Sequence, residues 1–265
     1  MIERGEHDAM NKGGDVDYNA TGVGYAGQRR PDPRIAAVIA RALDDARTVL
    51  NVGAGTGSYE PRDRHVLAVE PSAVMRAQRP AGAGLAIHGF ADALPLDDRS
   101  VDAVMAVATV HQWPDLARGL AELRRVSRGP VVVVAFDGDR LPDYWLNDYA
   151  PELIAAERRR YPPIGVIAAG VGACVEVQVI PIPLDCTDGI TEAFYGRPER
   201  LLDSAVRRAQ SSWGFVAPEV EPRFVERLSA DLASGRWDER YGALRSQSTY
   251  EGSLRLIVGQ AGEAS

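Results

Sequence analysis

The stretch Leu50-Asn51-Val52-Gly53-Ala54-Gly55-Thr56-Gly57-Ser58-Tyr59-Glu60 places three glycines at alternate positions directly after an apolar run. That run, Thr48-Val-Leu-Asn-Val52, is nearly continuous, as a strand covered on both faces requires. Glycines at a strand exit permit positive φ and let a ligand approach the backbone, so the segment reads as a buried first strand that turns toward a helix. Downstream, strand-like runs recur at His65–Glu70, Leu85–His88, Val101–Val107 and Val131–Phe136, with helical spacing between them. Upstream, Ile35, Val38, Ile39, Ala42 and Leu43 repeat at helical spacing after Pro31-Asp32-Pro33. Alternation of strands and helices predicts a doubly wound α/β sheet of Rossmann-like type, mostly parallel.

Two later runs differ. Val175, Val177 and Val179 alternate with Glu176 and Gln178, and Leu254, Leu256 and Val258 alternate with Ser253, Arg255 and Ile257. Such alternation suits edge or antiparallel strands, which makes seven strands with the last one antiparallel. Segments 137–173 and 181–252 exceed the usual connection of about 2–6 residues. The second holds a helix opening at Pro198 with Leu201, Leu202, Ala205, Val206 and Ala209 on one face. Another carries Val220, Phe224, Val225, Leu228 and Leu232 and ends at Gly235. The expected organisation is a flexible N-terminus over 1–15 and one domain over 16–265, with a helical cap inserted at about 181–252.

Composition narrows the class. Hydrophobic residues make up 45% and charged residues 25% of the 265, the balance of an ordinary folded protein. A net charge of −7 argues against nucleic acid as the main partner and accommodates a neutral or cationic small molecule. Two cysteines, Cys174 and Cys186, make neither a disulfide framework nor a zinc motif, and no metal site is expected. The polar N-terminus lacks a signal-peptide core, and no run reaches the roughly 18 apolar residues of a membrane span. A cytoplasmic protein without membrane attachment is the expectation.

The glycine spacing selects the ligand. A dinucleotide turn carries glycine or alanine three residues after its second glycine; here that place is Ser58, and the third glycine comes one residue early. Glu70, at the end of the second strand, is placed to accept hydrogen bonds from ribose hydroxyls. Gly53-x-Gly55-x-Gly57 resembles the first motif of the class I S-adenosylmethionine-dependent methyltransferases, of the type 11-like group. The resemblance continues through Val69-Glu70-Pro71-Ser72 with Met75, Gly89-Phe-Ala-Asp92-Ala-Leu-Pro95, Val101-Asp102-Ala-Val and Val110-His111-Gln112-Trp113. It covers about residues 16–136.

The resemblance implies S-adenosylmethionine as cofactor and a small-molecule acceptor, with a specialised metabolite as one such acceptor. It implies that Gly53, Ala54, Gly55 and Gly57 line the methionine part, that Glu70 and Pro71 serve the ribose, and that Met75 packs on adenine. Ala91, Asp92 and Ala93 then meet the adenine edge, and the Ala106 carbonyl faces its amino group. Tyr18, Tyr25 and Arg29 resemble an arm that folds over the cofactor, with Arg29 or Arg30 pairing its carboxylate. Asn51 stands where many relatives carry an acid, so an acceptor oxygen remains but a charge is lost. Phe90 takes another often acidic place, and Gln112 stands where a second histidine is expected.

Methyl transfer from a sulfonium needs alignment above all, and a base only where the acceptor is protonated. Sites in open α/β sheets lie beyond the carboxyl ends of the strands, which makes His111 the candidate base and leaves His65 at the wrong end. A structural histidine beneath the cap is the alternative. Trp113, Trp145, Tyr149, Phe194, Tyr195 and Trp213 are candidates for an aromatic acceptor pocket or for plain core. Cys186 shows no feature that would activate its thiol, and Glu157-Arg158-Arg159-Arg160 reads as a solvated helix face. An NAD-dependent oxidoreductase and a catalytically silent cofactor-binding regulator are the rival functions.

Overall fold

The computed structural model describes residues 30–260. Its strands are β1 (Thr48–Val52), β2 (His65–Val69), β3 (Leu85–Ile87), β4 (Ala103–Val107), β5 (Val131–Phe136), β6 (Cys174–Val179), β7 (Ile182–Pro183), β8 (Thr249–Tyr250) and β9 (Leu254–Gln260). Seven of them form one sheet in the order β3-β2-β1-β4-β5-β9-β6. The pairs among β1 to β5 are parallel, and β9 lies antiparallel between β5 and β6. The seven expected strands and the expected direction of the last are therefore present. Strand order reverses between β1 and β4, the place where an open α/β sheet leaves a crevice at its carboxyl edge.

Both faces of the sheet are covered, which explains the unbroken apolar runs of the central strands. On one face Leu50, Val52, Val104, Ala106, Val131, Val133 and Ile257 pack with Leu120, Leu123 and Val126 and with Ile167 and Val171. On the other, Val49, Met105, Val132, Val134, Leu254 and Leu256 share a core with Ile35 and Ile39 and with the segment between β6 and β9. The helices include α1 (Pro33–Ala42), α2 (Ala73–Ala77), α3 (Leu116–Val126), α4 (Pro151–Arg160), α5 (Ile164–Val171), α6 (Ser204–Arg208), α7 (Val220–Ser234) and α8 (Arg236–Tyr241). Helix α1 starts where the sequence says it should: Asp32 accepts the Arg34 N–H, and Pro33 fills the first turn, where its missing donor costs nothing.

Two local expectations are corrected. The glycine turn leads into no helix, because residues 53–64 run as consecutive turns to β2. Gly53, Gly55, Gly57 and Tyr59 all have positive φ and Pro61 has no N–H, so no helical ladder propagates there. The helix expected from Pro198 is broken: a 3-10 turn, Pro198–Leu202, stops at an extended Asp203 whose carboxylate accepts the Ala205 N–H and begins α6 anew. Helix α7 ends as read, with Gly235 at φ 81 returning its N–H to the Leu232 carbonyl. Strands β7 and β8 pair Ile182 with Tyr250 and Pro183 with Thr249, which fastens the two ends of the segment between β6 and β9 together. Among the described residues no helix is long and apolar enough to cross a membrane.

Candidate functional site

The carboxyl ends of β1, β2 and β4 bring the motif residues together at the switch point. The Val69 carbonyl accepts the N–H groups of Gly53 (2.9 Å) and Ala54 (3.1 Å), fixing the start of the turn to the end of β2. Gly53 at φ 65 admits no side chain, since a Cβ there would overlap the Thr109 hydroxyl. Thr109, just beyond β4, therefore closes against the turn.

Glu70 locks the same turn from the other side. Its Oε2 accepts the Gly55 N–H and its Oε1 the Ser72 N–H, both at 2.8 Å. Burial pushes the Glu70 carboxyl up, and the two N–H bonds oppose that shift. Each oxygen keeps a further lone pair for an incoming hydroxyl. Ser72 caps α2 by accepting the Met75 N–H, which sets buried Met75 with its methyl against Gly55. Pro71 lies half-buried between Glu70 and this cap. Ala91, half-buried Asp92 and exposed Ala93 form a turn after β3, closed by the Ala93 N–H to Phe90 carbonyl bond. Ala106 is fully buried within β4. Tyr18, Tyr25 and Arg29 lie outside the described residues.

Asn51 is committed elsewhere in part: its Nδ2 donates to Glu60 Oε1 at 3.0 Å. Glu60 in turn pairs with Arg79 at 2.7 Å, with side-chain exposures of 7% and 6%. The charge beside the turn is thus neutralised. A donor set of one buried carboxylate, a carboxamide oxygen and Asp92, with its nearest buried guanidinium already paired, fits a nucleoside sulfonium. It does not fit a pyrophosphate, which calls for free N–H groups or cations.

A second hollow adjoins the first through the turn Val110–Gln112. It holds about 550 Å³ of free space, mouth included, and its walls come from Ala108, His111 and Gln112, from Phe136 after β5, from α4, and from the segment between β6 and β9. His111 meets Tyr161 edge-on at 5.1 Å and Phe136 at 6.5 Å, and its Nε2 lies 3.3 Å from Gln112 Nε2. Ala108 has φ 52, a strained conformation that turns the chain from β4 toward this wall.

Two acids that sequence reasoning missed face the hollow. Glu157 and Glu192 are 5% and 2% exposed. Burial pushes Glu192 up to about 7, against the bonds donated by the Ser253 N–H and hydroxyl, and Glu157 pushes it further. Burial raises Glu157 as well. Arg158 and Arg159 are exposed, so only part of that run is the solvated face it resembled. Of the two readings left open for the aromatic candidates, core holds for Trp145, Tyr149, Phe194 and Tyr195, which are all buried, and the Trp145 indole donates to the Tyr195 carbonyl. Trp113 packs on the α3 side of the sheet and Trp213 against Phe224. Cys186 is buried, and its thiol is pushed up to about 12 by desolvation, so it offers no thiolate.

A methyltransferase domain family matches residues 50–134. The crystal structure of a protein from Anabaena variabilis, described as a methyltransferase of an antibiotic biosynthesis pathway, superposes with a TM-score of 0.81 at 31% identity; the likeness covers 88% of this chain and 98% of that one. An S-adenosylmethionine-dependent methyltransferase of Thermotoga maritima shares the fold, with a TM-score of 0.56 at 16% identity over 92% of this chain and 97% of its own. Uncharacterised methyltransferases of Mycobacterium tuberculosis and Mycobacterium bovis are 44% identical over 91 residues, 31% of this chain. The chain spans only 36% of the length of these curated relatives.

Proposed function

The chain belongs to the class I S-adenosylmethionine-dependent methyltransferases, and from that premise we propose that it transfers a methyl group to a small-molecule acceptor, a specialised metabolite. The observation that carries this reading is the meeting of the Gly53–Gly57 turn, Glu70 and the Thr109–His111 exit at the β1/β4 switch point. S-adenosylmethionine supplies an electrophilic methyl on a sulfonium. The chain's task is to bind it, align the acceptor and keep water out.

Glu70 and Pro71 hold the ribose in this reading, with Met75, Ala91, Asp92, Ala93 and the Ala106 carbonyl around the adenine. Gly53, Ala54, Gly55, Gly57 and the Asn51 oxygen take the methionine part, and Tyr18, Tyr25 and Arg29 close over it. His111, in the wall of the adjoining hollow, takes a proton from the acceptor. Residues 181–252 act as the acceptor-selecting cap. The antibiotic-pathway description of the Anabaena variabilis relative supports a specialised metabolite as acceptor. The net charge of −7 supports an acceptor other than nucleic acid, and a cytoplasmic location completes the reading.

Incubation of the full chain with S-adenosylmethionine and an acceptor panel tests the reading. S-adenosylhomocysteine formed only in the presence of an acceptor supports it. Cofactor binding without turnover on any acceptor supports the silent regulator instead.

A further inference from the structure

The sheet ends on β6, which has a neighbouring strand on one side only. The Ile180 N–H donates to the Leu254 carbonyl at 3.0 Å, and this fixes the sense of the ladder: Cys174, Glu176 and Gln178 share that parity and turn their N–H and C=O groups toward β9. Val175, Val177 and Val179 therefore turn theirs outward. Among the described residues no strand receives them.

The side chains are as open as the backbone. Val175 packs against the core of Ile167, Val171 and Ile257, but Val177 and Val179, on the same face further along the strand, are 45% and 41% exposed. Natural edge strands are blunted by proline, lysine or a bulge. The run Cys174-Val-Glu-Val-Gln-Val179 has neither residue, and its register against β9 is unbroken. An edge of this kind invites a strand from another chain.

The residues of β6 say which chain. Antiparallel pairing about a two-fold axis through Val177 sets Val177 against Val177 of the second copy, Val175 against Val179, and Glu176 against Gln178. The three outward valines of each strand then meet as hydrogen-bonded pairs. On the opposite face Glu176 Oε1 already takes the Gln178 Nε2 of its own strand at 2.7 Å, and its other oxygen is left for the same amide of the second copy. Moving the axis to Glu176 sets two acids directly against each other. Moving it to Gln178 sets Val175 against Pro181, which has no N–H to give. The register centred on Val177 is the self-complementary one.

We propose that β6 is the contact surface for a second copy of this chain, the two joined edge to edge about Val177 into one continuous sheet. The contact is a single strand wide, so the dimer is a reversible one. The β1/β4 switch point lies inward of β6 with β5 and β9 between, so cofactor binding does not depend on the contact.

The test is sedimentation velocity on the full chain over a range of about 1–200 µM, where a monomer–dimer equilibrium should appear with a Kd of about 1–100 µM. Val177→Lys puts two ammonium groups face to face at the axis and should weaken the dimer about 10-fold or more. In a Cys174→Ser background, Val177→Cys should be joined to its copy by a short bis-maleimide, because opposed residues of a hydrogen-bonded pair lie about 5.5 Å apart. Val175→Cys should not be joined, since its two copies stand four residues apart along the strand, about 13 Å. Thermal melts and S-adenosylmethionine titrations matching the unaltered chain show that each variant is folded. A monomer throughout the range, a dimer that Val177→Lys leaves intact, or cross-linking at 175 in place of 177 overturns the proposal. A monomer whose Val175, Val177 and Val179 amides resist hydrogen exchange overturns it equally, by placing the chain's own residues on the edge.

Discussion

Glu70 Oε2 accepts the Gly55 N–H at 2.8 Å, so the acid that ends β2 also holds the glycine turn that ends β1. One side chain therefore has two duties, shaping the turn and meeting the ribose, and its removal should be felt in both. Glu70→Ala should weaken S-adenosylmethionine binding by about 1.5–3 kcal/mol, the range for hydrogen bonds to a charged group. It should also lower the melting temperature of the ligand-free protein, because the Gly55 and Ser72 N–H groups lose their acceptor. Calorimetry paired with thermal denaturation checks both, and an unchanged melting temperature would show that the turn stands without Glu70.

Gly53 and Gly55 should respond differently to the same methyl group. Alanine at 53 combines positive φ with overlap against Thr109, so Gly53→Ala should cost well over the roughly 1–2 kcal/mol of left-handed strain and lower the melting temperature by about 5–10 °C. At 55 the same left-handed strain applies at φ 53, but the added Cβ meets only the end of the Met75 side chain at 3.3 Å, so Gly55→Ala should lose less stability than Gly53→Ala and lose cofactor affinity besides. Equal melting temperatures for the two variants would contradict the assignment of Thr109 as the closing group.

If His111 takes the acceptor's proton, His111→Ala should reduce kcat by about 10²–10⁴ with cofactor affinity nearly constant. Its ring also meets Tyr161 and Phe136, so His111→Asn gives a polar control of smaller shape change. A loss confined to KM, or a full kcat in either variant, removes the histidine from the proton path and leaves it a wall of the pocket.

Glu192 should leave a mark on stability. Its carboxyl is raised from 4.5 to about 7 in the folded chain, where Glu157, Arg255, Tyr144 and Tyr250 surround it. Between those values the unfolded chain has released a proton that the folded chain keeps. The stability present below pH 4.5 should therefore fall as pH rises and level off above 7. The shift corresponds to about 3 kcal/mol. Glu192→Gln should flatten that slope and gain most over the unaltered chain near pH 8, measured by urea denaturation at a series of pH values. Parallel stability curves for the two proteins would mean that Glu192 keeps an ordinary carboxyl.

The sheet was legible because burial on two faces writes itself as apolar runs, and the alternation at 175–179 and 253–258 marked the edge strand and the antiparallel strand beside it. The glycine turn, Glu70 and the exit after β4 were legible because each sits at a strand end, where function constrains residue type. The missing helix after Gly57 escaped notice since positive φ at Tyr59 is not encoded by residue type. Asp203 was read as one residue of a helix, though as an N-cap it divides that stretch. Glu157 and Glu192 were invisible for a different reason: an acid in a polar run reads as solvated, and only tertiary packing from α4, β9 and the 181–252 segment buries it. The aromatic residues left two readings open, because bulk alone does not separate a pocket wall from a core.

The central claim is that the β1/β4 crevice receives S-adenosylmethionine. The most direct measurement is calorimetric titration of the full-length chain with S-adenosylmethionine, S-adenosylhomocysteine and NAD at equal concentrations. The account predicts saturable binding of both sulfur nucleosides, mutual competition between them, and no heat of binding from NAD. Binding of NAD alone, or no binding of either sulfur nucleoside, would contradict it.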